Sequence, residues 1–221
     1  MFPESFTFSI ADWVNGWVDA LVTHYGDVFR HISDTLLWAI VNLEGLLRMA
    51  PWWLMLAIVG GIAWHATRKL LTTAVIVGLL FLVGAVGLWD KLMQTLALML
   101  VATLISVLIG IPLGILSARS NRLRSVLMPL LDIMQTMPSF VYLIPVLMLF
   151  GLGKVPAIFA TVIYAAPPLI RLTDLGIRQV DGEVMEAINA FGANRWQQLF
   201  GVQLPLALSL IHISEPTRPE R

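Results

Sequence analysis

The sequence predicts an all-α membrane protein with about five transmembrane helices and the start of a sixth. Of its 221 residues, 58% are hydrophobic and only 13% are charged, and the mean hydropathy is +0.82. A soluble domain typically has about a quarter charged residues and fewer than about half apolar ones. The apolar residues also form stretches without Asp, Glu, Lys or Arg, namely 49–67, 70–89, 92–118, 133–153 and 155–170. These stretches do not alternate polar with apolar residues, as the strands of a membrane barrel would.

The lengths of these stretches suit membrane spans. A helix needs about 20 apolar residues to cross a hydrocarbon core of roughly 30 Å. A charged side chain at the bilayer centre costs about 2.5–3.5 kcal/mol on insertion scales, so long uncharged stretches favour membrane helices. The stretch 92–118 is long enough to span with tilt, and 155–170 is on the short side. We therefore predict a transmembrane domain over residues 49–208.

The segment 1–48 has an amphipathic pattern rather than that of a signal peptide. Its first charged residue, Glu4, is acidic rather than basic, and no small-residue cleavage site follows a clean apolar stretch. From Ile10 onward, apolar residues that include Trp13 and Trp17 recur at helical spacing, with polar residues between them. Two structures fit this pattern: a helix lying in the bilayer interface, or a helix packed on the protein's own outer surface.

The basic residues between the spans predict the orientation of the chain. Cytoplasmic loops carry an excess of Lys and Arg. One side of the predicted membrane holds eight of these residues: Arg68, Lys69, Arg119, Arg122, Arg124, Arg171, Arg178 and Arg195. The other side holds four: Arg30, Arg48, Lys91 and Lys154. We therefore expect the first side to face the cytoplasm and the N-terminus to lie outside the inner membrane.

The charge balance and the residue types exclude several classes of function. Fourteen basic and fourteen acidic residues cancel, so the charge predicts no nucleic-acid partner. The chain has no cysteine, and its four histidines share no metal-ligand spacing. The glycine-rich segment 151–154 lacks the pattern of a phosphate-binding loop. We therefore expect no catalytic residues, no metal site and no cofactor in this chain.

Prolines and polar residues interrupt the predicted spans. Pro112, Pro138 and Pro145 lie inside spans, and Pro167-Pro168 are predicted to end the fifth. Irregular backbone at membrane depth persists only where it is buried in protein or lines a cavity. Tight helix packing through Pro and Gly is one explanation, and a polar passage for a solute is the other. The candidate pathway and gate residues are Asp132, Gln135, Thr136, Pro138, Ser139, Phe140, Tyr142, Pro145 and Arg171.

A motif follows the fifth span on the predicted cytoplasmic side, in a loop at about 174–205. It consists of Glu186-Ala187-Ile188, three residues, Gly192, nine residues, and then Val202-Gln203-Leu204-Pro205. This pattern resembles the EAA loop of ABC importer permeases, in which every interval is the same. The resemblance implies a helix, a turn at the glycine and a second helix, with the first helix docked in a groove of a partner ATPase. Val184, Ala187, Ile188 and Phe191 would give the first helix an apolar face.

Other segments resemble the permeases of ProU-type glycine betaine/proline betaine importers. They are 110–119, 131–145, 148–151 and 166–173. The resemblance covers about residues 12–208 and implies a type I, MetI-like helical bundle in the bacterial inner membrane. The implied partners are cytoplasmic ATPase subunits, a periplasmic betaine-binding protein and a second permease copy. ATP hydrolysis would take place on the separate ATPase, and the movement would reach the spans through the loop.

Two further interpretations concern charge and substrate. Asp132 and Arg171 lie near the cytoplasmic ends of adjacent predicted spans, where an ion pair could clasp an inner gate; alternatively, both are solvated charges at headgroup level. Phe140 and Tyr142 could offer a quaternary ammonium group a transient cation–π contact. An ABC permease for a taurine- or methionine-type solute is the first alternative function. A gradient-driven betaine carrier or an osmotically gated channel is the second.

The end of the chain departs from the family pattern. Residues 213–221 contain two prolines and four charged residues, and the apolar run before them is too short to span a membrane. We expect 209–221 to be a non-native tail, similar to translated adapter sequence, and the permease to be truncated at its C-terminus.

Overall fold

The structure, a computed structural model, describes residues 10–206, and these residues form helices without strands. The α-helices are α1 (Ile10–Met49), α2 (Trp52–Thr67), α3 (Leu70–Ala85), α4 (Trp89–Arg119), α5 (Asn121–Thr136), α6 (Phe140–Phe150), α7 (Lys154–Arg178), α8 (Gly182–Ala190) and α9 (Arg195–Gln198). A π-helical turn, Leu199–Gln203, continues directly from α9. The predicted all-α class is therefore confirmed. The expected tail 209–221 lies outside the described residues.

The number of spans is less regular than the sequence predicts. Two described helices, α4 and α7, are each long and apolar enough to cross a membrane. Two helix pairs would pass the same test as broken spans: Asp19–Met49 with Trp52–Thr67, bent by 96°, and α5 with α6, bent by 93°. The helix α3 is a shorter apolar helix. Multiple membrane helices are therefore present, and the count of five stays a prediction.

Residues 10–102 and 143–159 form one compact unit. Within it, α2 and α3 form a hairpin whose turn has Arg68 in the left-handed region, at φ 54°. The Trp52 and Phe81 ring centroids lie 6.4 Å apart across this hairpin. A Cβ added at Gly60 would lie 3.1 Å from the Val77 side chain, so the glycine lets the two helices approach closely.

The long helix α1 is exposed near its start and partly buried further along. In its first half, Trp13 and Trp17 are exposed. Further along, the Phe29 ring packs edge-on against Phe150, with centroids 5.6 Å apart, and Ile40 is fully buried. Parts of α1 therefore pack on the protein, while Trp13, Trp17 and Trp38 are exposed; an interfacial position for its start stays a prediction.

Residues 103–142 and 160–206 form the second unit. Its core contains Leu131 of α5 with Ala166 and Ile170 of α7. At Gly114 of α4, an added Cβ would lie 2.5 Å from the Thr173 side chain and 2.9 Å from the Ile170 carbonyl oxygen. The α4 and α7 backbones can approach this closely because Gly114 has no side chain.

The prolines of α7 correct the prediction that Pro167-Pro168 end the fifth span. The helix continues through both residues to Arg178. Each proline removes one backbone donor, but Pro167 is fully buried, and the neighbouring Ala166 and Ile170 pack in the core with Leu131. We attribute the continuity of the helix to this tertiary packing. Pro112 and Pro145 also lie inside described helices rather than at their ends.

Candidate functional site

The break between α5 and α6 lies where the sequence placed polar residues. The helix α5 ends at Thr136, and Met137 is extended, as expected for a residue before proline. In a continuous helix the Met134 carbonyl would accept a hydrogen bond from residue 138, but Pro138 has no N–H. The Tyr142 hydroxyl donates to that carbonyl instead, at 2.5 Å. Tyr142 therefore satisfies a backbone group that the break leaves open.

The other predicted pathway residues divide into two groups. The Thr136 hydroxyl donates to the carbonyls of Asp132 and Ile133, at 3.0 and 3.1 Å, within its own helix. The other predicted residues beside the break, Gln135, Pro138, Ser139 and Phe140, are exposed, as is Thr136 itself. Pro145 is also exposed, in the middle of α6. Pro145 belongs to the first unit, and within the second unit the residues beside the break lie at the surface.

Asp132 and Arg171 are in contact, as the clasp interpretation requires. An Nη of Arg171 donates to the Asp132 carboxylate and joins α7 to α5. The Asp132 side chain is 63% exposed and that of Arg171 is 33% exposed. The Arg171 Nε is buried without a hydrogen-bond partner. The pair is therefore partly exposed, and Arg171 retains an unpaired donor.

The predicted coupling loop has the helix–turn–helix form that the resemblance implies. At its start, the Asp181 carboxylate accepts from the Glu183 backbone N–H at 2.9 Å and caps α8. At its end, Gly192 has φ 74°, and its N–H donates to Asn189 O at 3.0 Å. The N–H of Ala193 donates to Ile188 O at 3.2 Å, which completes a Schellman turn.

A reciprocal cap starts the second helix of the loop. The Asn194 side chain accepts from the Trp196 and Gln197 backbone N–H groups, at 3.0 and 2.9 Å. The Gln197 side chain accepts in return from the Asn194 N–H, at 2.8 Å. This arrangement is a capping box, with Gln at its third helical position. Both helix ends at the turn are therefore fixed by local hydrogen bonds.

Side-chain contacts hold the two arms of the loop together. The Gln198 amide donates to Asn189 Oδ1 at 2.7 Å and to Ala193 O at 2.8 Å. The Gln203 amide lies 3.7 Å from the Met185 sulfur. Beyond Gln203, Leu204 is half-buried and Pro205 is exposed. These contacts brace the loop, because they hold its two arms in a fixed position relative to each other.

Part of the exposed surface of α8 and of its C-cap residue is apolar. The Phe191 side chain is 90% exposed, and Val184 is also exposed. Glu186 and Ala187 are exposed, whereas Ile188, which the sequence placed on the same apolar face, is half-buried. A braced helix with an outward apolar stripe has the form that a groove on another protein can accept.

Sequence reasoning missed a buried charge cluster in the same unit. The Asp174 side chain is 2% exposed, and its two oxygens accept from Arg124 Nε and Arg178 Nε, each at 3.2 Å. The Arg178 Nη2 also donates to Ser117 O and to Asn121 Oδ1, both at 3.0 Å. The four-residue spacing of Asp174 and Arg178 on α7 was the one local signal for this cluster.

A second missed ion pair lies in the first unit. The Lys154 ammonium lies 2.6 Å from the Glu44 carboxylate, and Arg48 lies 2.8 Å from its other oxygen. Glu44 lies on α1 before the first predicted span, and its side chain is 9% exposed. The hydrogen bond from Lys154 lowers the pKa of the Glu44 carboxyl, and burial opposes this shift only in part. No local pattern relates Glu44 and Lys154, which are 110 positions apart.

Among the described residues, no cluster of three or more His, Cys, Asp or Glu side chains could hold a metal ion.

Comparison of the sequence with known proteins identifies a family. Residues 110–213 match the family described as the binding-protein-dependent transport system inner membrane component. The match therefore includes α4 from Gly110, all of α5 to α9, and the first residues of the expected tail.

Three curated relatives extend the similarity toward the N-terminus. The glycine betaine/proline betaine transport system permease protein ProW of Escherichia coli is 44% identical over 199 residues, which is 90% of this chain and 56% of the relative. The glycine betaine transport system permease protein OpuAB of Bacillus subtilis is 39% identical over 91% of this chain and 71% of the relative. The glycine betaine/carnitine transport permease protein GbuB of Listeria monocytogenes is 42% identical over 94% of this chain and 74% of the relative.

The chain thus spans a little over half the length of the E. coli relative and between two thirds and three quarters of the other two. The identity to these relatives exceeds 30% along nearly the whole chain. The chain belongs to the family of binding-protein-dependent transport system inner membrane components.

Proposed function

We propose that this chain is the permease subunit of an ATP-driven importer for quaternary ammonium osmoprotectants of the glycine betaine and proline betaine type. The observation that carries this proposal is the 39–44% identity to three permeases that are named for glycine betaine transport. Two of these relatives are also named for a second solute, proline betaine or carnitine. All three solutes combine a quaternary ammonium group with a carboxylate, which defines the proposed substrate class.

Energy would enter through the loop formed by α8 and α9. ATP would be hydrolysed on separate cytoplasmic ATPase subunits, so the chain itself would not be an enzyme. The outward stripe of Val184, Ala187 and Phe191 would dock in a groove of the ATPase, with Glu186 at its edge. The bracing contacts of Gln198 support this role, because a loop that transmits force must resist deformation.

Substrate would pass the break between α5 and α6. Gln135, Ser139 and Phe140 are exposed beside it, and the nearby Asp132–Arg171 pair joins α5 to α7. In the proposed cycle the pair forms an inner clasp that opens when the ATPases move the loop, which exposes the pathway alternately to each side. A quaternary ammonium group could contact the Phe140 ring, which is 71% exposed.

The remaining proposals concern assembly and placement. Two copies of the permease would form the pathway, and a periplasmic binding protein would deliver the betaine. The chain would lie in the bacterial inner membrane as a multi-pass protein, with its N-terminus in the periplasm. The excess of Lys and Arg on the side that carries α8 supports this orientation.

Uptake of labelled glycine betaine into proteoliposomes tests the proposed function. The permease would be reconstituted with its ATPase and binding protein, with either ATP or an ion gradient as the energy source. We expect uptake that requires enclosed ATP and is competed by proline betaine but not by taurine or methionine. Uptake driven by the gradient alone would indicate a carrier. Competition by taurine or methionine would indicate a permease for another solute.

A further inference from the structure

The cluster around Asp174 joins three helix ends beside the coupling loop. Asp174 and Arg178 lie in the last turns of α7, Arg124 lies in the first turn of α5, and the Ser117 carbonyl belongs to the last turn of α4. The helix α8 begins at Gly182, after only three residues outside the helices. Because this connection is so short, a displacement of α8 would be transmitted to the cluster.

The chemistry of the cluster makes it a rigid connection. A carboxylate that is 2% exposed is costly to bury unless it is paired and hydrogen-bonded, and here it has two guanidinium partners. Arg178 also reaches the Ser117 carbonyl and the Asn121 side chain, so one planar group contacts all three helices. A point charge such as a lysine ammonium could not make this set of contacts.

The helices are also in close contact one turn away. Gly114 of α4 packs directly on Thr173 and on the Ile170 carbonyl of α7. In this region α4 and α7 cannot slide independently without steric conflict. The cluster and the glycine contact therefore hold the ends of α4 and α7 as one body, to which Arg124 adds the start of α5.

We infer that Asp174, Arg124 and Arg178 are positioning residues for energy coupling. They hold α4, α5 and α7 together at the base of the loop, so that a movement of α8 turns all three helices as one. Asp132 on α5 and Arg171 on α7 lie farther along two of these helices, so the same movement would reach the clasp. The inference rests on the proposed function and assigns the cluster a role distinct from docking, which belongs to the exposed face of α8.

The variant Asp174→Asn tests this inference, because it removes the shared negative charge and leaves two guanidinium groups close together. The complex with ATPase and binding protein is reconstituted, and glycine betaine uptake and ATP hydrolysis are measured on the same vesicles. We expect uptake to fall at least about tenfold while ATP hydrolysis falls less than about threefold, so that the ratio of betaine to ATP drops; tenfold corresponds to about 1.4 kcal/mol. Equal losses of uptake and hydrolysis, or an unchanged ratio, would overturn the inference.

Two further variants separate coupling from folding. Arg178→Lys keeps the positive charge but cannot bridge to Ser117 and Asn121. We therefore expect a smaller drop in the ratio of betaine uptake to ATP hydrolysis. If Asp174→Asn fails to assemble, this variant tests the inference in its place. Glu44→Gln disrupts a buried ion pair in the other unit and is the matched control, for which the ratio should stay at the wild-type value even if the amount of folded protein falls. Failure of the wild-type complex to couple ATP to betaine would count against the proposed function rather than against the cluster.

Discussion

Arg171 of α7 and Asp132 of α5 form an ion pair although they are 39 positions apart in the chain. The helix α7, which carries Arg171, continues toward the coupling loop. The helix α5, which carries Asp132, ends at the break after Thr136. Because more than half of the Asp132 side chain is exposed, the pair adds little to folding stability, about 0–1 kcal/mol for pairs of this kind. A large functional effect of breaking it would therefore indicate gating rather than stability.

We expect Asp132→Arg and Arg171→Asp to lower betaine uptake strongly as single variants, because each places two like charges at the clasp. The charge-swapped double variant restores an attractive pair and should recover most of the uptake. Uptake and melting temperature would be measured for all four proteins. Should the double variant be no better than the worse single variant, the clasp would have to be abandoned.

The Glu44–Lys154 pair should matter for stability rather than for transport. Glu44→Gln removes a nearly buried charge from between Lys154 and Arg48, and we expect a loss of about 1–3 kcal/mol, less than for a fully buried pair because Lys154 is partly exposed. Thermal unfolding in detergent measures this loss. Asp27→Asn, which removes a fully solvated acid 3.7 Å from Arg30, is the control and should leave the melting temperature unchanged.

The pH dependence of this effect follows from the direction of the pKa shift. Since folding lowers the pKa of Glu44, the stabilisation is complete above the unfolded value of 4.5 and is lost as the pH falls through the lower folded value. The difference in melting temperature between wild type and Glu44→Gln should therefore be full at neutral pH and shrink in acid. A difference that grows in acid would show that Glu44 does not act as a paired carboxylate.

Gly114→Ala should be strongly destabilising. The added methyl group would overlap the Thr173 side chain and the Ile170 carbonyl, and the latter, as backbone, cannot move aside cheaply. Overpacking of this kind costs about 1–3 kcal/mol or more. Gly61→Ala in α2 is the control, since nothing lies within 4 Å of its added Cβ and alanine favours helix. Equal melting temperatures for the two variants would contradict the close contact of α4 and α7.

Gly192→Ala should weaken the coupling loop. The turn holds residue 192 at φ 74°, where a side chain costs about 1–2 kcal/mol, so the second arm should lose its position relative to α8. We expect lower ATPase co-purification and lower uptake. Gly201→Ala, in the same loop with nothing near the added Cβ, should behave as wild type. Normal ATPase binding by Gly192→Ala would indicate that the turn geometry is not needed for docking.

The sequence predicted those features that depend on local pattern. Uncharged runs identify α4 and α7, and the resemblance to the EAA loop implied the helix α8 and the turn at Gly192. Pro138 marks the break, although the missing N–H alone does not decide it, because α4, α6 and α7 continue through their prolines. The Asp132–Arg171 contact agrees with one of the two interpretations that the sequence left open, the other being two solvated charges.

Features that depend on distant packing could not be predicted in this way. Arg124 and Asp174 are 50 positions apart, and Arg124 entered the sequence argument only as a marker of orientation. The continuity of α7 through Pro167-Pro168 depends on burial against Leu131, which no local propensity reveals. The start of α5 at Asn121 lies in a charged segment that the hydropathy pattern assigns to a loop.

The central claim is that α8 couples this permease to an ATPase that drives betaine import. The most direct test measures ATP-dependent glycine betaine uptake and ATPase co-purification for wild type and Glu186→Lys, with Asp27→Lys as a control for the same change of charge on an exposed residue of α1. The account predicts that Glu186→Lys loses both properties and that Asp27→Lys keeps both. Undiminished uptake and ATPase binding by Glu186→Lys would contradict it and would favour a carrier that needs no ATPase.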